Sequence, residues 1–84
     1  MPTISMFYGI LIWMNLTRKE HCPPHIHAKY GGIEATFLIL NGSIYKGKFP
    51  KNGANLVKEF ILKYQKEFMD MWETERYIKL PPLE

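Results

Sequence analysis

His21, His25 and His27 stand within seven positions, around Cys22 and the Pro23-Pro24 pair. They are all the imidazoles of the chain, and Cys22 is its only thiol. Two adjacent prolines fix φ and remove two backbone donors, so the segment reads as a stiff turn. A stiff loop of imidazoles is a way to hold proton-transfer groups or metal ligands in place.

Three chemistries fit these residues. Residues two apart on a strand share a face, so His25 and His27 are placed to hold both rings over one point. With His21 from across the turn they would make three imidazoles around an open fourth position, the donor set of a catalytic zinc site. Zinc or another divalent ion is therefore one cofactor to expect. Yet the H-x-H spacing is a weak signal, Cys22 points away in an extended turn, and only Glu20 and Glu34 stand near enough in sequence to orient a ring. The second chemistry is metal-free acid–base work on a phosphodiester, with His21, His25 and His27 as the catalytic groups. Lys29, Lys46 and Lys48 would then meet the phosphate, while Tyr30 and Tyr45 offer stacking surfaces for a base. The third is architecture, with His21 and His25 bonding backbone carbonyls around the prolines. For the two catalytic chemistries the three rings must converge on a solvent-accessible cleft lined by strand residues.

The elements that must position these groups are written in the periodicity. Residues 7–14 are apolar on both strand faces and read as one central strand buried on both sides. Residues 25–30 form a second strand closed by Gly31-Gly32, and 33–40 a third. Asn41-Gly42 predicts a type I′ hairpin into a fourth strand, 43–49, with Ile44, Lys46 and Lys48 on one face and Tyr45 and Phe49 on the other. From Ala54 the period changes: Val57, Phe60, Ile61, Tyr64 and Phe68 mark one face of a helix, continued by Met71 and Trp72 to about Tyr77. One rod over 54–77 would be about 36 Å long at 1.5 Å per residue. A domain of this size has a radius of gyration of about 12 Å, so a break near residues 64–67 is expected. Trp13 and Trp72 read as core anchors.

The expected fold is α+β: a four-stranded, mainly antiparallel sheet followed by two C-terminal helices packed on one face. Residues 1–84 make a single domain, with the sheet and its histidine loop in 1–50, helices in 51–78 and an extended tail in 79–84. An 84-residue chain with 46% hydrophobic and 14% aromatic residues fits a small globular domain. The longest apolar run is far shorter than the roughly 20 residues of a membrane span, and neither a signal peptide nor an internal disulfide is expected. The cytoplasm is the expected location. The net charge of +3 hides a division. Lys46, Lys48, Lys51, Lys58, Lys63 and Lys66 face a single acid, Glu59, before Glu67, Asp70, Glu73 and Glu75 reverse the sign. A lysine-rich stretch attracts polyanions, or simply keeps a helix face wet.

The opening Pro2-Thr3-Ile4-Ser5, followed by Phe7, Gly9, Ile10 and Ile12, resembles a family of small prokaryotic proteins, domain of unknown function 4160. The resemblance continues through His21-x-Pro23-Pro24-His25-x-His27-Ala28-x-Tyr30, Asn41-Gly42, Gly47, Pro50, Trp72-Glu73 and Pro82-Leu83. It covers nearly the whole chain. Members often carry a basic pair after the hairpin's proline, where this chain has Lys51 and Asn52. The resemblance implies a cytoplasmic protein encoded beside a second small protein of the 2442 family, a pairing like a type II toxin–antitoxin operon. The expected function is thus a toxin-like component, an RNase using the histidine cluster. The alternatives are a non-catalytic partner-binding or antitoxin-like module and a divalent-metal protein. Expected partners are the operon neighbour, RNA and a second copy of the chain, with no membrane.

Overall fold

A computed structural model describes residues 3–14 and 23–82. Five strands, β1 (Thr3–Phe7), β2 (Ile10–Trp13), β3 (His25–Tyr30), β4 (Ile33–Leu38) and β5 (Ile44–Gly47), form one antiparallel sheet in sequential order. Helices α1 (Lys51–Lys63) and α2 (Gln65–Thr74) follow. The α+β class, the antiparallel sheet and the two C-terminal helices are as expected, but the sheet has five strands rather than four.

The fifth strand comes from the segment read as one central strand. Tyr8 and Gly9 both take positive φ, 52° and 77°, and Phe7 pairs with Ile10. This two-residue turn has left-handed residues at both central positions, as a hairpin twist requires. The apolar run therefore folds back on itself. Conversely, Asn41-Gly42 is not a two-residue turn. Gly42 alone is left-handed, at φ 72°, and its N–H donates to the Leu38 carbonyl. The Asn41 carboxamide oxygen accepts from the Ser43 N–H and hydroxyl, so the side chain closes a longer connection between β4 and β5.

Directly opposed residues of an antiparallel pair project from the same face. Register thus assigns Phe7, Ile10, Ile12, Ile26, Ala28, Ala35 and Phe37 to one face, where they join the core. Val57, Phe60 and Ile61 of α1 and Phe68 and Met71 of α2 complete that core, with the Phe7 and Phe60 rings 4.7 Å apart. The helices cover this face because their 3.6-residue stripe buries itself only against an apolar sheet. Trp13 is buried too, but opposes His27 on the other face; it is not the core anchor expected.

The helical segment breaks at Tyr64 (φ −116°, ψ 31°), which ends α1 and caps α2. The Gln65 carboxamide donates to the carbonyls of Ile39 and Leu40, tying the start of α2 to the β4–β5 turn. The radius of gyration is 11.5 Å, as the length argument requires. Left-handed Glu75 (φ 59°) ends α2 at Thr74, short of the expected Tyr77. The described residues beyond α2 form no regular element, and the Leu80 N–H donates to the Ile4 carbonyl at the β1 edge.

Gly47, the last residue of β5, cannot take a side chain without the backbone beside it shifting. Its φ is 88°, and a Cβ there would stand 2.8 Å from the Glu34 carbonyl oxygen, whereas at Gly31 (φ 60°) a Cβ meets open space. Gly31→Ala is expected to cost about 1 kcal/mol, and Gly47→Ala about 3 kcal/mol, in chemical denaturation. Equal losses at the two positions would contradict this register.

Candidate functional site

The face opposite the helices carries the candidate chemistry. Alternation along β3 sends Ile26 and Ala28 into the core and His25, His27 and Lys29 to the opposite side. Trp13, His27, Thr36 and Lys46 oppose one another across β2 to β5, and Leu11, Lys29 and Glu34 form the next row. His25 opposes Leu38. The expectation that His25 and His27 share a face is met: their rings meet edge-on with centroids 5.2 Å apart.

Neighbouring rings hold the pair. Trp13 stacks on His27 at 5.3 Å and an interplanar angle of 14°. Trp72 of α2 lies 5.1 Å from His25, and Tyr45 stacks over it at 6.5 Å. Tyr45 reaches this place because β5 bulges: Thr36 opposes Lys46 and Phe37 opposes Ile44, leaving Tyr45 as the extra residue. A bulge re-aims side chains, so the expected grouping of Ile44 with Lys46 fails; they project from opposite faces. Flanked by Tyr45, Trp72 and His27, His25 is 9% exposed. This departs from the expected open cleft, because His27, half-buried, is the ring of the two that meets solvent.

Protons can be placed on one of the rings. Nδ1 of His25 lies 2.8 Å from the Pro23 carbonyl oxygen. A carbonyl only accepts, so Nδ1 carries the hydrogen. This is also the carbonyl bond that an architectural role for His25 would use. For His27, burial lowers the pKa from the ordinary 6.5, the neighbouring His25 lowers it further, and Glu34 opposes the shift. His27 is therefore neutral at pH 7 and able to accept a proton.

The remaining residues divide. Lys29 and Lys46 are exposed on the histidine face. Lys48 is exposed beyond the end of β5. Tyr30 is not part of this surface. It opposes Ile10 and Ile33 on the helix-bearing face and lines a cavity of about 140 Å³ with Tyr8, Ile10, Pro50, Gly53 and Leu56. His21 and Cys22 lie outside the described residues, so the three-imidazole set is represented by His25 and His27. Among the described residues, no three His, Cys, Asp or Glu side chains stand close enough to hold a metal ion. Trp13, which sequence reasoning placed in the core, is the neighbour it missed; its position directly opposite His27 follows from β2–β3 pairing alone.

Residues 9–73 match the family described as Domain of unknown function (DUF4160). The chain belongs to this family. No curated protein and no solved structure matches it. The match spans β2 through β5, the histidine pair, α1 and all but the last residue of α2. Among the described residues no helix is long and apolar enough to cross a membrane.

The His27 shift has a consequence for stability. A histidine pKa lowered by folding means the unfolded chain binds the proton more readily, so stability falls as pH drops through 6.5 and below. His27→Gln should flatten that part of the pH–stability curve. By NMR titration, His27 should have its midpoint below 6.5, and His25→Gln should raise that midpoint by removing the neighbouring charge. An unshifted midpoint, or no response to His25→Gln, would overturn this description of the pair.

Proposed function

We propose that this chain is the toxin-like component of a two-gene bacterial module and acts as a metal-free ribonuclease on the histidine face of its sheet. The observation that carries the reading is the placement of half-buried His27, stacked on Trp13 and edge-on to His25, on the same face as Lys29 and Lys46. Its lowered pKa leaves the ring unprotonated at neutral pH, the form in which a general base accepts a proton. In this mechanism His27 takes the proton of a ribose 2′-hydroxyl, whose oxygen attacks the adjacent phosphorus. The ammonium groups of Lys29 and Lys46 hold the phosphate and the charge that builds on it, while Lys48 extends the positive track. The leaving 5′-oxygen takes a proton from water. His25 is a positioning residue here: anchored by the Pro23 carbonyl, it braces the His27 ring and depresses its pKa. The two-gene setting, with a 2442-family partner and a cytoplasmic location, is what the family resemblance implies.

A second reading rests on a specific observation. His25 is almost fully enclosed by aromatic rings and bonded to the backbone, as a ring with a purely architectural role would be. On that reading the chain is a partner-binding or antitoxin-like module, and the histidines fix the turn to the sheet.

Induced expression separates the two. The catalytic reading expects growth arrest from the wild type, lost in His27→Gln while stability at pH 7 stays within about 1 kcal/mol, the scale of one hydrogen bond. His25→Gln should weaken arrest in proportion to the change in His27 titration. Full arrest by a well-folded His27→Gln protein would rule out the catalytic reading. Activity that declines only with the folded fraction would establish the architectural one.

A further inference from the structure

The two edges of the sheet are finished differently. At β1 the C-terminal segment lies alongside, with the Leu80 N–H on the Ile4 carbonyl. Beside β5 no element of the described residues pairs, and all four of its residues, Ile44, Tyr45, Lys46 and Gly47, are exposed. An open edge presents a row of backbone donors and acceptors that templates another strand. Apolar surface adjoins it. Leu40, at the turn leading into β5, is 77% exposed, and Ile44 is 39% exposed. Leu62, 47% exposed, stands one turn before Gln65, whose side chain holds the Leu40 carbonyl.

Charge selects the occupant. Lys46 lies on this edge strand, Lys48 just beyond it, and Lys51 opens α1, with no acid among residues 44–58. A second copy pairing antiparallel through β5 about Lys46 or Gly47 would set Lys46 against its counterpart or against Lys48, and like charges across a strand pair destabilise it. The same lysines that repel a second copy attract a strand bearing carboxylates. Nucleic acid would meet the lysines but has no use for the backbone row or for Leu40 and Leu62.

We infer that the β5 edge is a docking site for an extended, acidic segment of a protein partner, which adds to the sheet as a sixth strand. Alternate carboxylates of the segment pair with Lys46 and Lys48, and its intervening apolar side chains meet Ile44 and Leu40. The backbone edge takes no part in proton transfer at His27, but the docked segment would share Lys46 and Lys48 with the proposed phosphate track and so compete with RNA there.

The test uses the whole chain and a synthetic peptide alternating valine with glutamate, titrated with NMR and hydrogen-exchange detection. The peptide should shift the amides of Ile44 through Gly47 and slow their exchange. Lys46→Glu with Lys48→Glu should weaken it about tenfold, and that variant should instead bind the matching valine–lysine peptide. A valine–glutamate peptide with a central proline should bind more weakly, because it cannot complete the ladder. The inference is overturned if the β5 amides do not respond, if the lysine peptide binds the wild type equally well, or if the wild type self-associates through β5. It is also overturned if single-stranded RNA protects these amides and the peptide does not.

Discussion

The register of β3 between β2 and β4 is the constraint on which the rest of the molecule depends. With a side-chain period of two, a slip of one residue would exchange Ile26 and Ala28 for His25 and His27 in the core. Burying two imidazoles there would leave their nitrogens without water, at a cost of roughly 1–3 kcal/mol for each unmet polar group. The alternation therefore fixes two surfaces at once: an apolar one on which α1 and α2 pack, and a polar one that collects His25, His27, Lys29, Thr36 and Lys46. The histidine pair is a consequence of the same pairing that makes the core.

What holds the pair is aromatic packing from three separate elements. Trp13 comes from β2, Tyr45 from the β5 bulge and Trp72 from α2. Their convergence depends on the break at Tyr64, since α2 begins where Gln65 is tied to the β4–β5 turn. The helical half thus contributes directly to the histidine side through Trp72. Enclosure of His25 and partial exposure of His27 give two neighbouring imidazoles different surroundings, and different surroundings are how a protein separates the roles of like groups.

Much of this was legible in the sequence, and the exceptions share a cause. Turn residues marked the limits of β3 and the reversal between β4 and β5, hydrophobic period marked the buried stripe of the helices, and helix length against domain size required the break. The segment around Tyr8-Gly9 misled because its flanks are apolar and tyrosine is an unusual occupant of a left-handed position, so no turn residue besides Gly9 announced the hairpin. Asn41-Gly42 misled in the opposite direction: Asn41 uses its side chain to capture Ser43 rather than adopting a left-handed backbone. At the site, shared facing of His25 and His27 follows from spacing. The enclosure of His25 does not, because it depends on a bulge and on a helix far along the chain. Tyr30 was misplaced because its parity along β3, the same as that of Ile26 and Ala28, sends it to the helix-bearing face.

The most direct test of the central claim is the chemistry of the cut ends. Purified protein should cleave single-stranded RNA in the presence of a metal chelator and leave a 2′,3′-cyclic phosphate and a 5′-hydroxyl, the products of 2′-hydroxyl attack. A substrate carrying a 2′-deoxyribose at the cleavage position should resist. Cleavage that requires a divalent ion, or that proceeds equally on the deoxy substrate, would contradict a His27 general base, and so would the absence of any cleavage by a folded protein that arrests growth.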